Sequence, residues 1–227
     1  MCRTPGVNKE AVAELALAPA LSVTRRVTEF DRNIRSGAVV ERSNFLGMES
    51  WQKTVGIVGM GNIGTLVARK WRAAFNAKIV AYDPYVPVDI WPDIPHRRAN
   101  SLAELLPQAD ILTLHLPLTD ESRGMIGAAA LALTKPSAVV INTSRGGIVD
   151  ERALYDAIVA GRLFGAGLDV FEREPPTADN PLMRLPTVVA TPHAGGGTYE
   201  TQARSSLLVA EQLFEALAGR EPLGRVA

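Results

Sequence analysis

Cysteine and histidine are scarce in this 227-residue sequence and net charge is absent: one Cys, three His, and 24 Lys and Arg against 24 Asp and Glu. The lone thiol, Cys2, excludes an internal disulfide and cannot build a cysteine metal site. Such usage fits a reducing, cytoplasmic setting, and its nearness to the terminus marks it as incidental. His96, His115 and His193 are too scattered for a ligand pattern, so no zinc site is expected. The neutral charge balance gives no electrostatic case for nucleic acid. No window approaches about eighteen uninterrupted apolar residues, which argues against a membrane-spanning helix. Residues 1–20 superficially suggest a secretory signal, with Arg3 and Lys9 ahead of an apolar stretch that ends in Ala18-Pro19-Ala20. Glu10 and Glu14 interrupt that stretch, so it reads instead as an amphipathic helix from Asn8, its N-cap, to about Val27. Pro19 removes a backbone donor inside it and is expected to kink it, at about 3 kcal/mol if unrelieved.

What the sequence does hold is an apolar content of 47%, enough for one large or two small domains, and the run Thr54-Val-Gly-Ile-Val-Gly-Met-Gly-Asn-Ile-Gly64. Val55, Ile57 and Val58 make a β-rich stretch that breaks at Gly59, and a helical pattern (Leu66, Val67, Trp71, Phe75) begins just after Gly61. Strand, tight turn and helix in that order form a dinucleotide-holding device. Gly59 permits the turn, Gly61 lets the backbone approach a pyrophosphate, Gly64 allows close helix packing, and the helix N-terminus offers free N–H groups. Asp83 ends the next apolar run, where a carboxylate accepts bonds from the ribose hydroxyls and repels a 2′-phosphate. NAD is therefore expected in preference to NADP.

Apolar runs at 55–58, 79–82, 111–116, 138–142, 164–168 and 187–190 alternate with helical patterns at about 61–75, 101–106, 127–133 and 151–160. The alternation predicts an α/β fold with a doubly wound parallel sheet, its ligands at the carboxyl ends of the strands. Asn76 is expected as a left-handed C-cap, Asp150 as an N-cap to Ala153, and Gly161 as the close of that helix. A last helix, about 198–218, carries Ala203, Leu207, Ala210, Phe214 and Leu217 on one stripe that needs a partner surface. The Trp and Phe residues, at helical or strand spacing, read as core, and the Pro-rich loops at 84–95 and 174–181 as ordinary connections.

Four polar groups follow strands on the second half of the sheet. Arg145, in Asn142-Thr-Ser-Arg-Gly-Gly147, suits bidentate capture of a carboxylate, with glycines that allow a tight turn. His193, in Thr191-Pro-His-Ala-Gly-Gly196, can give a proton to a carbonyl oxygen. Glu174 can pair with that imidazole, and Asp169 ends the intervening strand. Read alone, each is also compatible with a surface turn or loop residue. His96 reads as a surface residue. His115 ends a buried strand before Leu116-Pro117 and reads as core or cofactor lining, on the adenine or the nicotinamide side, rather than as a proton donor.

Together these motifs resemble the D-isomer-specific 2-hydroxyacid dehydrogenase family, which includes D-3-phosphoglycerate dehydrogenases and glyoxylate/hydroxypyruvate reductases. The likeness runs through Asn8 to Arg26, Gly59 to Gly64, Tyr82-Asp-Pro84, His115 to Thr119, Asn142 to Asp150, Gly167 to Pro175 and Thr191 to Gly197. It implies a catalytic trio of Arg145, Glu174 and His193. It also implies cofactor contacts at Asn62, Ile63, His115, Pro117, Thr143, Arg145, Asp169, His193, Gly195 and Gly196, with Asp169 bonding the nicotinamide carboxamide. The activity implied is hydride transfer between NAD(H) and a D-2-hydroxy acid or 2-oxo acid, by a homodimer. The family carries a further segment ahead of the Asn8 helix, most of a second domain whose loops close over the substrate. One wall of the cleft is therefore expected to be missing, with residues 4–194 as the NAD-binding domain and 195–227 as a helical remnant of the second. Gln52 for a usual Gly, and Pro19 in the helix used at the family's dimer interface, depart from the pattern. A non-catalytic NAD(H)-binding module acting through dimerisation is the alternative.

Overall fold

A computed structural model describes residues 2–87 and 91–226; residues 88–90 of the expected 84–95 loop, and the two terminal residues, lie outside the described residues. Seven parallel strands form one sheet in the order β3-β2-β1-β4-β5-β6-β7. They are β1 (Thr54–Val58), β2 (Lys78–Tyr82), β3 (Arg97–Arg98), β4 (Ile111–Leu114), β5 (Val139–Asn142), β6 (Gly165–Leu168) and β7 (Val188–Ala190). The interior strands are buried on both faces, as their unbroken apolar runs require. Helices α1 (Lys9–Thr24) and α3 (Asn62–Phe75) cover one face, where Ala13, Ala16, Val67 and Trp71 pack on Val55, Ile57 and Ile141. Helices α4 (Leu102–Leu105), α5 (Ala128–Leu131) and α6 (Glu151–Val159) cover the other with Leu105, Leu131 and Leu154. Helix α2 (Val27–Arg35) follows α1, and α7 (Tyr199–Leu217) is the last helix. Among the described residues no helix is long and apolar enough to cross a membrane.

The capping chemistry follows the residues. Asn76 closes α3 at φ 47°, Asp150 accepts from the Ala153 N–H at 2.9 Å, and Gly161 at φ +66° ends the turn after α6. Several expectations are corrected. The first helix stops at Thr24 and restarts at Val27, because Arg26 is left-handed at φ 55°. Asn8 holds the N-cap position but its side chain makes no capping bond. The helix continues through Pro19, whose ring lies against Gly167, where a Cβ would collide with it. Strand β4 ends at Leu114, and the short β3, lying beyond β2, has no counterpart among the expected strands. Trp51 is 53% exposed rather than core. His96 is half-buried, its ring edge-on to Trp91 and Nδ1 2.7 Å from the Ile94 carbonyl.

Helix α7 is only lightly embedded, with Thr201 and Gln212 its buried residues. Leu207, Phe214 and Leu217, all on the expected stripe, are exposed. Its side chains tie it to both chain ends: Gln212 Nε2 donates to the carbonyls of Arg3 (2.7 Å) and Leu223 (2.6 Å), and Arg204 Nε to that of Val7 (3.0 Å).

Candidate active site

Strand register lines up the site. Val58 pairs with Leu114, Leu114 with Asn142, Asn142 with Leu168 and Leu168 with Ala190. The next residues, Gly59, His115, Thr143, Asp169 and Thr191, therefore form one row along the carboxyl edge. The strand order reverses between β1 and β4, and a crevice opens at that switch point. Its cleft of about 280 Å³ is lined by Ile63 from the β1 side, by His115, Leu116 and Pro117 after β4, and by Thr143, Ser144 and Arg145 after β5. Asp169 after β6 and His193, Gly195 and Gly196 after β7 complete it. Asn8 and Val12 of the α1 end close one side. Their place is not apparent in the sequence, because only the docking of α1 brings them there; Gly196 faces Asn8 and Gly195 faces Val12.

The glycine turn has the shape the motif requires. Gly59 is left-handed at φ +85°, and a Cβ there would strike the His115 carbonyl. A Cβ on Gly64 would strike the Gly59 carbonyl, whereas Gly61 faces open space. No side chain caps α3, so its first N–H groups point at that space. Asp83 sits beyond β2, accepting from Met60 N–H at 2.9 Å through Oδ2 and from Tyr85 N–H at 3.0 Å and Val86 N–H at 3.3 Å through Oδ1. Oδ2 keeps a lone pair free to accept a further hydrogen bond.

Four buried side-chain polar atoms among the described residues lack a hydrogen-bond partner, and two of them, His115 Nδ1 and Thr143 Oγ1, belong to residues lining this cleft. Buried polar groups are seldom left unpaired, so these atoms suit a polar ligand. The open space at Gly61, the uncapped helix end, Asp83 and the two orphan atoms fit a dinucleotide. Burial pushes the His115 pKa down to about 3, so its imidazole is neutral. Its Nε2 meets Thr113 Oγ1 at 2.9 Å.

At the other end His193 Nδ1 lies 2.8 Å from Glu174 Oε2, and Glu174 Oε1 accepts from Phe171 N–H at 3.1 Å. Partial burial opposes ionisation of Glu174, but His193, the Phe171 N–H and Arg145 outweigh it and hold the carboxyl below its ordinary pKa. Asp169 is buried and its carboxylate is bonded within the His193 loop, accepting from Thr191 Oγ1 (2.6 Å), Ala194 N–H (2.7 Å) and Gly195 N–H (2.9 Å). Asn142 shapes the Arg145 turn, donating to the Arg145 carbonyl at 2.9 Å and accepting from Ser144 Oγ at 2.7 Å. Arg145 itself is exposed. Gly146 is indispensable, because a Cβ would overlap the Phe171 carbonyl.

Comparison with known proteins shows the family. A profile of the "D-isomer specific 2-hydroxyacid dehydrogenase, NAD binding domain" matches residues 17–195. A D-3-phosphoglycerate dehydrogenase of Mycobacterium tuberculosis is 47% identical over 95% of this chain and 40% of its own length. The hydroxypyruvate reductase of Thermotoga maritima is 40% identical over 94% of this chain and 69% of its own. The crystal structure of the TT0316 protein from Thermus thermophilus superposes on all of this chain and 71% of its own, with a TM-score of 0.91 and 39% identity. The chain thus spans about 40% of the length of the D-3-phosphoglycerate dehydrogenases it matches. It belongs to the D-isomer specific 2-hydroxyacid dehydrogenases and carries their NAD-binding domain.

Proposed function

We propose that this chain supplies the cofactor site and the catalytic side chains of an NAD-dependent D-2-hydroxyacid dehydrogenase. The observation that carries the proposal is the Glu174–His193 pair at 2.8 Å, on the same cleft edge as Arg145. Bound NAD(H) supplies or accepts the hydride at the substrate's C2. Arg145 anchors the substrate carboxylate and polarises the 2-oxo group. With Nδ1 held by Glu174, His193 has Nε2 free to give a proton to the developing alkoxide, or to take it back in the reverse direction. Glu174 stabilises the charged imidazole and fixes its orientation. Glyoxylate, hydroxypyruvate and 3-phosphohydroxypyruvate are the substrates to try. The test is NADH oxidation followed by absorbance with that panel, with NADH binding followed by fluorescence in the same samples. Turnover that Arg145→Ala abolishes supports the proposal, and bound NADH without turnover removes it.

The second reading, an NAD(H)-binding module that acts through dimerisation, is favoured by the apolar residues left open on α7. In either reading we propose a homodimer in the cytoplasm. Val39 and Leu46, fully and 74% exposed in the segment after α2, support a subunit contact there. A monomer at micromolar concentration would remove that part. Residues 4–194 are proposed as the NAD-binding unit and 195–227 as part of the substrate domain.

A further inference from the structure

We infer that Glu151 and Glu172 form a reciprocal clasp that positions the Glu174–His193 pair, an assignment that rests on the proposed dehydrogenase reading. Glu151 is the first residue of α6, and its N–H donates to Glu172 Oε1 at 3.1 Å. The Glu172 N–H donates in return to Glu151 Oε1 at 2.6 Å, while Asn180 Nδ2 holds Glu151 Oε2 at 2.7 Å. Two carboxylates would ordinarily repel at this range. Each is instead bonded to a backbone N–H, beside the positive end of a helix.

Helix capping accounts for only part of the clasp: Asp150 and Glu172 take the first-turn N–H groups of Ala153 and Glu151, but the return bond from the Glu172 N–H to Glu151 reaches outside the helix. Its effect falls on the loop that begins at Phe171. That loop is pinned at Glu172 by the clasp and at Phe171 by its N–H bond to Glu174 Oε1. Gly146 of the Arg145 turn lies so close that a Cβ on it would strike the same Phe171 carbonyl and reach the Glu172 nitrogen. One fastening thus fixes α6, the Arg145 turn and the Glu174 loop together. Neither glutamate lines the NAD cleft, so both are positioning residues that act through Glu174.

The test is the imidazole Hδ1 resonance of His193, followed by NMR against pH in the full chain alongside turnover. As the pH is lowered, the resonance in E151A and E172A is expected to weaken and to vanish at a higher pH than in wild type. The sign follows from Glu174: its pKa is held down by His193 and by the Phe171 N–H, and loosening either lets it rise. E172D, which keeps the charge but shortens the reach, should behave like E172A, whereas E172Q, which still offers an oxygen, should behave like wild type. E151A combined with E172A should be no worse than either alone. Turnover should fall about tenfold with the KM for NADH unchanged. Arg152→Ala, on the same helix but outside the clasp, is the control. A resonance and pH dependence identical to wild type in both E151A and E172A would overturn the inference. Absence of wild-type turnover would defeat the dehydrogenase reading while leaving the resonance comparison decisive for the clasp.

Discussion

The two halves of the sheet's carboxyl edge hold their polar groups in opposite ways. Around β1 and β2 the site is built of backbone: an uncapped helix end, a left-handed glycine, and one carboxylate bonded to three main-chain N–H groups. Around β5 to β7 it is built of side chains, with Asn142, Asp169 and Glu174 each fastening a loop. The first design suits an invariant anion and tolerates few substitutions of its glycines. The second can be altered one side chain at a time, with chemistry lost and fold retained.

The largest expected effect belongs to the second half. His193→Ala should lower turnover by about 10² to 10⁴-fold, the usual contribution of a general acid, with NADH affinity retained. Equal losses in both quantities would erase the contrast between the halves. Next, two glycines of one motif should separate. Gly64→Ala forces a Cβ onto the Gly59 carbonyl and should cost about 1–3 kcal/mol in denaturant unfolding. Gly61→Ala meets nothing in the protein and should leave stability unchanged while weakening NADH binding. If both melt alike, the space at Gly61 is not the pyrophosphate cradle.

His115 lies at the junction of the halves and gives a pH signature. Its folded pKa, about 3, is depressed below the unfolded value near 6.5, so its contribution is full above that value and declines as pH falls toward 3. The decline should be about 1.4 kcal/mol per pH unit. Unfolding at pH 6 and pH 4 should therefore show a shallower slope in His115→Gln than in wild type, and equal slopes would remove the effect. Last, wild type should bind NADH more tightly than NADPH, and Asp83→Ser should narrow the gap by about tenfold, or ~1.4 kcal/mol. NADPH binding more tightly to the wild type would remove the role given to Asp83.

Legibility in the sequence follows the same division. The strands that carry the site stand out because fully buried parallel strands read as apolar runs, and the glycine turn because its backbone leaves a residue pattern. Arg97 and Arg98 are a strand only because they lie beside Val80 and Ala81, and two arginines carry no alternation to detect. The break at Arg26 is equally silent, since nothing marks a left-handed arginine in advance. At the site, Arg145, Glu174 and His193 are nominated by their place after strands, which the register explains. Asn8 and Val12 are not, because distant packing puts them in the cleft. The Glu151–Glu172 clasp escapes for another reason: its donors are main-chain N–H groups, common to every residue but proline.

His193 sits in the left-handed region at φ 55°, held by its N–H bonds to the Asp169 carbonyl at 2.7 Å and the Thr191 carbonyl at 3.1 Å. Glycine would adopt that geometry without the steric cost, about 1–2 kcal/mol, that a Cβ incurs there. His193→Gly should therefore fold more robustly than His193→Ala, although both lack the imidazole. A laboratory screen that rewards heat resistance alone would be drawn toward that replacement. Such a screen would need to weigh catalysis from its first round, because this residue is where robustness and usefulness part.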